Sequence, residues 1–179
     1  MTDRDGIAAD EGPAEEWDPP PAAVDEPVPA LAVAGLGCSP SLRARLICLR
    51  PFAAGETVAA IEGYKVVRQP SFRSVQIAED RHIEDIGVLA YLNHSCDPNV
   101  GIDCERLVVT ALRDIAALDE LTFFYPSTEW DMAQPFRCWC RSDGCLGTVA
   151  GARHVPAAVL ARHLLAPHIV RLAGIRGSA

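Results

Sequence analysis

Short apolar runs separated by turn residues dominate the middle of the chain. Pro51, Gly55 and Gly63 stand between the earliest of these runs, where proline and glycine mark turns. The runs are four to six residues long and lie at 46–49, 57–61, 74–77, 107–112 and 121–125. Such lengths predict β-strands, so we expect a β-rich body with little helix. The apolar segment 30–34 fits either a first strand or a lead-in.

Two further segments depart from this strand pattern. Residues 87–92 are mostly apolar and fit either a helical turn or a strand. Residues 157–165 follow Pro156 and consist of good helix formers, so they predict a helix that Pro167 interrupts. Residues 169–172 add one more helical turn. The expected fold class is therefore mainly β (α+β), with a short C-terminal helix.

Length and composition favour one soluble, intracellular domain. The chain has 179 residues, 49% of them hydrophobic, which suffices for a sizeable core. No uninterrupted apolar stretch approaches the roughly 20 residues of a membrane span, and the N-terminus lacks a signal-peptide pattern. Seven cysteines, an odd number, are typical of a reducing compartment. We expect no membrane partner and a cytoplasmic location, or a nuclear one in a eukaryote.

The acidic charge is confined to one end of the chain. The net charge is −8, and residues 1–30 hold nine acidic side chains against Arg4 alone. This segment is rich in Pro and Ala and cannot bury enough apolar surface to fold, so we expect a disordered, solubilising tail. A contact with a basic partner is the alternative. The remaining charges cancel, which argues against direct nucleic-acid binding.

Four cysteines are spaced like zinc ligands. Cys138, Cys140 and Cys145 form a C-x-C-x4-C run, one thiol fewer than a closed tetrahedral site needs, and Cys96 is the remote fourth. Four thiolates give a closed structural site, so we expect one structural Zn²⁺ rather than a catalytic metal. The alternative is that these thiols are free or redox-active.

Four stretches of the chain together resemble one protein family. In chain order they are RLICLRPFAAGETV at 45–58, NHSCDPN at 93–99, ELTFFY at 120–125 and CWCRSDGC at 138–145. Their order and internal spacing are similar to those of SET-domain protein-lysine methyltransferases with a post-SET zinc motif. The resemblance covers roughly residues 42–150.

The resemblance implies a fold and a division of the chain. It implies a SET-type β fold with a pseudoknot, in which the C-terminal strand threads under the loop that carries Asn93 to Cys96. It favours a short helix at 87–92 and a post-SET zinc loop folded over the pocket. The predicted units are an acidic tail, a SET domain, a post-SET zinc segment and a C-terminal helical extension, at 1–30, 31–135, 136–151 and 152–179.

The resemblance also implies an activity, namely methyl transfer from S-adenosylmethionine to a lysine side chain of a protein or peptide substrate. Tyr125 is the implied catalytic residue, with its hydroxyl near the sulfonium methyl and the attacking nitrogen. Phe123 leaves space that permits di- or trimethylation. The implied cofactor-binding residues are Arg45, Leu46, Asn93, His94 and Tyr125. The substrate-channel candidates are Tyr91, Phe123 and Trp139.

Three positions depart from the family pattern. Arg43-Ala44-Arg45 replaces a Gly-x-Gly that lets backbone approach the cofactor, and Ala90 and Ile61 replace an Arg and a Tyr. One alternative is therefore a non-catalytic SET module that acts in interactions. Another is an enzyme of the same fold that acts on a small molecule, because the segment between Gly63 and Gly87 is short for gripping a peptide.

Overall fold

The computed structural model describes residues 31–34 and 44–175. The acidic tail and Arg43 lie outside this range. The strands of the described part are β1 (Leu31–Ala34), β2 (Arg45–Cys48), β3 (Thr57–Ala60), β4 (Lys65–Val67), β5 (Val75–Ala78), β6 (Arg81–Glu84), β7 (Asn93–His94), β8 (Val100–Asp103), β9 (Val108–Ala111), β10 (Thr122–Phe123), β11 (Phe136–Arg137) and β12 (Thr148–Val149). Its 3₁₀ turns and helices are Gly87–Tyr91, Tyr125–Ser127, Ala152–His154, α1 (Ala157–Leu160) and α2 (Pro167–Leu172).

The strands form several small antiparallel sheets. One three-stranded sheet has the order β3-β9-β8, and a second has the order β4-β6-β5. The pairs β1–β2 and β11–β12 are two-stranded hairpin-like ribbons. Small sheets cannot cover their apolar faces alone, so they pack around a shared core. The predicted mainly β fold is confirmed.

The chain crosses itself where β10 meets β7. These two strands pair in parallel, with Thr122 opposite Asn93. On the other side of the same segment, the backbone N–H of Leu121 donates to the carbonyl of Leu46 (2.8 Å). The segment before Tyr125 is therefore held between β2 and the loop that begins at Asn93, which is the arrangement that the resemblance implies.

Two groups of buried side chains stabilise this arrangement. The larger group joins the central sheets with the C-terminal helices, and its fully buried members include Leu46, Val58, Ile83, Val109, Leu121, Phe124, Leu160 and Ile169. The smaller group joins Cys96 to Cys138 and Val149, which both belong to the segment 136–149. The C-terminal helices pack on the larger core through Leu160 and Ile169, and the ring of His163, between the two helices, stacks on Phe124 at 3.8 Å.

The C-terminal helix prediction was partly wrong. The helix expected over 157–165 ends at Leu160, and Pro167 begins α2 instead of only interrupting a helix. Ala166 has an extended backbone, because a residue before proline avoids helical angles. Pro167 can then occupy the first helical position, where its missing N–H costs nothing. No helix in the described part of the chain is both long and apolar enough to cross a membrane.

Candidate functional site

One large open cavity lies where three parts of the chain meet. They are residues 120–125, here called the crossed segment, strand β5, and the loop that carries Cys138 and Cys140. Its volume is about 720 Å³. Eight site residues predicted from the sequence line it: the predicted zinc ligands Cys138 and Cys140, together with Arg45, Asn93, His94, Phe123, Tyr125 and Trp139. Leu46 is fully buried in the core and Tyr91 is 38% exposed, and neither lines this cavity. Their roles remain predictions.

The side chain of Asn93 ties two segments together behind the cavity. Its Nδ2 donates to the carbonyl of Ala44 (3.1 Å) and to Oε1 of Glu120 (2.8 Å). Asn99 performs a similar task, because its Oδ1 accepts from the N–H of Thr122 (2.8 Å) and its Nδ2 donates to the carbonyl of Glu120. These amides hold the crossed segment in place through paired hydrogen bonds.

His94 connects the crossed segment with the cysteine cluster. Its Nδ1 accepts from the backbone N–H of Tyr125 (3.2 Å), and its Nε2 lies 3.2 Å from the sulfur of Cys96. Because a backbone N–H can only donate, Nδ1 is the acceptor and Nε2 carries the proton toward sulfur. Burial, followed by the nearby His163, lowers the pKa of His94 to about 4. The ring is therefore neutral near pH 7, with both nitrogens engaged.

Tyr125 lies at the end of the crossed segment and lines the cavity. Its hydroxyl donates to the carbonyl of Leu92 (2.8 Å), and its ring contacts Phe123 at 4.6 Å and His94 at 5.2 Å between centroids. The side chain is thus held by packing on two rings and by a hydrogen bond at its tip. Such a rigid phenol can present its oxygen to a ligand at one place.

The four predicted zinc ligands come together in space. The sulfur atoms of Cys96, Cys138, Cys140 and Cys145 all lie within 4.8 Å of one another. A tetrahedral site with Zn–S bonds of about 2.3 Å places sulfurs roughly 3.8 Å apart. The Cys96–Cys138 separation is 3.9 Å, so the donor set and its spacing fit one zinc ion.

The thiols of this cluster differ in acidity. Burial raises the pKa of Cys96 and also that of Cys138, the latter to about 11. Burial acts in the same direction on Cys140, but hydrogen bonds led by that of Ser142 outweigh it and lower the pKa of Cys140 to about 6. The Cys140 side chain therefore favours the thiolate form near neutral pH, which is the form that ligates a metal ion.

Residues 132–140, which follow the crossed segment in the chain, cover one side of the cavity. Phe136 lies edge-on to the rings of His94 and Tyr125, at 5.8 and 5.9 Å. Trp139 is 68% exposed and carries the guanidinium of Arg137 over its ring at 4.7 Å. Cys138 and Cys140 of the cysteine cluster flank Trp139 in the chain, so this aromatic wall lies next to the cluster.

Sequence reasoning missed the far wall of the cavity. Ser71, Ser74 and Val75 line it together with Glu129. The only sequence signal for Glu129 is its place four residues after Tyr125, and such a position does not reveal burial. The hydrogen bond that holds its carboxylate comes from Gln76 on β5, which lies 53 residues earlier in the chain.

Comparison with known proteins shows which domain family and which named proteins the chain is similar to. Residues 43–126 match the family model of the SET domain. The chain is 48% identical over 101 residues to a protein named Methyltransferase flvH from Aspergillus flavus, a match that covers 55% of this chain and 57% of the relative.

More distant relatives cover less of the chain. It is 41% identical over 68 residues to the Histone-lysine N-methyltransferase, H3 lysine-4 specific, of Aspergillus fumigatus, which covers 34% of this chain and 6% of that protein. The chain therefore spans less than two thirds of the length of these curated relatives. A solved structure of KRYPTONITE in complex with mCHG DNA and SAH is 21% identical, with a TM-score of 0.49, over 62% of this chain and 27% of that chain.

Proposed function

We propose that the protein is an S-adenosylmethionine-dependent N-methyltransferase. The observation that carries this proposal is the rigid phenol of Tyr125 in a cavity whose wall is the crossed segment of a SET domain. Its similarity to a protein named as a methyltransferase supports the same reaction class. Methyl transfer to an amine is an in-line displacement, so the protein mainly has to position the reactants and exclude water.

The cofactor-binding side of the cavity is proposed to be the one formed by Arg45, Asn93 and His94. When bound, S-adenosylmethionine supplies an electrophilic methyl group. Arg45 is exposed and lines the cavity, so its guanidinium is available to an anionic group such as a carboxylate. The neutral ring of His94 offers an apolar face, and Tyr125 orients its oxygen toward the reacting atoms.

The cysteine cluster is proposed to hold one structural zinc ion. Four thiolates leave no open coordination position, so the metal would contribute folding energy and not take part in the chemistry. Its proposed task is to anchor Phe136 and Trp139 over the cavity.

The proposed acceptor is the side-chain amine of a lysine in a protein, in keeping with the histone-lysine methyltransferase relatives. A small-molecule amine is the second candidate. The observation that favours it is the region between Gly63 and Gly87, which contains only the small sheet β4-β6-β5 and offers little surface to grip a peptide. Labelled methyl transfer into a protein digest and into a metabolite extract distinguishes the two.

The variant Tyr125→Phe tests the reaction centre. It keeps the ring and removes the hydroxyl, so we expect single-turnover methyl transfer to fall by about 10²-fold or more, equivalent to roughly 2.7 kcal/mol, with folding and cofactor binding retained. Tyr64→Phe is the matched control, because Tyr64 packs on the core outside the cavity lining. A loss below threefold in Tyr125→Phe would remove the hydroxyl from the mechanism.

Cofactor binding separates an enzyme from an interaction module. Saturating S-adenosylmethionine should raise the melting temperature by mass action. A folded protein that gives neither a thermal shift nor a calorimetric signal would favour the non-catalytic SET module.

A further inference from the structure

A buried carboxylate without a charged partner lines the proposed active-site cavity. Glu129 is 8% exposed and contributes to the cavity wall. A buried carboxylate is costly unless it is paired with a cation or several hydrogen bonds. No arginine, lysine or histidine of the described residues forms an ion pair with Glu129.

The protein holds this carboxylate in one place. Oε1 accepts from the backbone N–H of Gln76 on β5 (2.6 Å) and lies 3.4 Å from the hydroxyl of Thr128. The backbone of Glu129 is fixed as well, since its N–H donates to the carbonyl of Tyr125 and its carbonyl accepts from Ala152. Both contacts of the carboxylate use Oε1, so Oε2 has no hydrogen-bond partner among the described residues.

The place of Glu129 in the cavity connects it with the reaction centre. It follows Tyr125 by one turn of chain, and both residues line the same cavity. Apolar side chains such as those of Val75 and Leu89 line the same cavity, and apolar surroundings strengthen a charge interaction. Burial raises the pKa of Glu129 to about 7, against the opposing effect of the Gln76 N–H, and a bound cation would keep the carboxylate ionised.

We propose that Glu129 binds the positively charged nitrogen of the substrate, so that the cavity selects amines that enter as ammonium ions. The inference rests on the proposed function only in taking this amine as the methyl acceptor, and the bound ammonium must release one proton through the open cavity to solvent before its nitrogen can attack the methyl group. It assigns Glu129 as a specificity-determining residue of the substrate wall. A purely structural role, in which Glu129 only accepts the hydrogen bond from Gln76, is the competing explanation.

The test measures binding of small probes, without cofactor or turnover. n-Butylammonium mimics a lysine side chain, 1-butanol is its uncharged analogue, and butyrate carries the opposite charge. Nuclear magnetic resonance titrations of the zinc-loaded full chain at low salt and pH 7.5 give the dissociation constants. We expect n-butylammonium to bind wild-type protein about tenfold more tightly than 1-butanol, and butyrate more weakly than either.

Two variants separate charge recognition from structure. Glu129→Gln retains an oxygen that can accept from Gln76 but loses the charge, so the preference for n-butylammonium over 1-butanol should disappear. Glu105→Gln makes the same charge change at an exposed position outside the cavity lining and should keep the preference. An unchanged preference in folded Glu129→Gln would overturn the inference. Equal binding of the two probes to wild-type protein would overturn it even if the variant failed to fold.

The same variant distinguishes this inference from the proposed reaction. Where methyl transfer is measurable, Glu129→Gln should raise the KM for the amine about tenfold or more and leave cofactor affinity unchanged. Methyl transfer with an unaltered KM in Glu129→Gln would reject the role of Glu129 and leave the reaction standing. A cation preference that depends on Glu129 in a protein without methyl transfer would reject the reaction and leave the cation site standing.

Discussion

The carboxylate of Glu129 should make folding stability fall as pH rises. Its pKa is about 7 in the folded protein against an ordinary value of 4.5, chiefly because burial disfavours the charged form. Above pH 4.5 the unfolded chain releases this proton, whereas the folded chain keeps it until about pH 7. The free energy of unfolding therefore falls between pH 4.5 and about pH 7, and above pH 7 it falls no further on account of Glu129.

The size of this penalty follows from the two pKa values. The difference between 4.5 and about 7 corresponds to roughly 3 kcal/mol at pH 8. Glu129→Gln has no proton to lose there, so the variant escapes the penalty. Relative to wild type, its free energy of unfolding should rise by about 2–3 kcal/mol between pH 4.5 and pH 8, because the hydrogen bond from Gln76 is already contained in the pKa of about 7.

Urea unfolding of zinc-loaded wild type and Glu129→Gln at pH 4.5, 6 and 8 measures this difference. Subtracting one protein from the other cancels titrations that they share, including those of the cysteines. Cys104 lies close enough to sense Glu129, but burial raises its pKa, so the thiol stays neutral over this range. Glu105→Gln is the exposed control and should show no such trend. A difference between Glu129→Gln and wild type that is constant from pH 4.5 to 8 would refute the reasoning.

Two further predictions concern the metal and the backbone. Purified protein should contain one zinc ion per chain, and Cys140→Ser should lose it and unfold more easily, as measured by elemental analysis and thermal melting; a fully folded metal-free protein would contradict the assignment. Gly151→Ala should destabilise the fold by at least about 2 kcal/mol in urea, because Gly151 has a φ of +108° and an added Cβ would lie 2.5 Å from the carbonyl oxygen of Trp130. Gly144→Ala, where an added Cβ meets nothing within 4 Å, is its control.

The parts of the site that could be predicted are those encoded in short stretches of sequence. The stretch at 93–99 and the cysteines at 138–145 have recognisable spacing, and the structure brings Cys96 to the other three sulfurs. Glu129 could not be found in this way, because its burial depends on β5, which is distant in the chain. The helical turn predicted at 169–172 lies within α2, whereas the helix expected over 157–165 ends at Leu160, because helix propensity alone does not determine the extent of a short helix.

His94 connects the proposed zinc site, at Cys96, with the proposed reaction centre, at Tyr125. With zinc bound, Cys96 is a thiolate, and a thiolate is a better acceptor for the Nε2 proton of His94 than a neutral thiol. That contact holds the ring in the tautomer whose Nδ1 accepts from the backbone of Tyr125. Loss of the metal would weaken the first hydrogen bond and, through the same ring, the second. A zinc ion bound by the four cysteines would therefore position the proposed reaction centre through His94 as well as anchoring the aromatic wall.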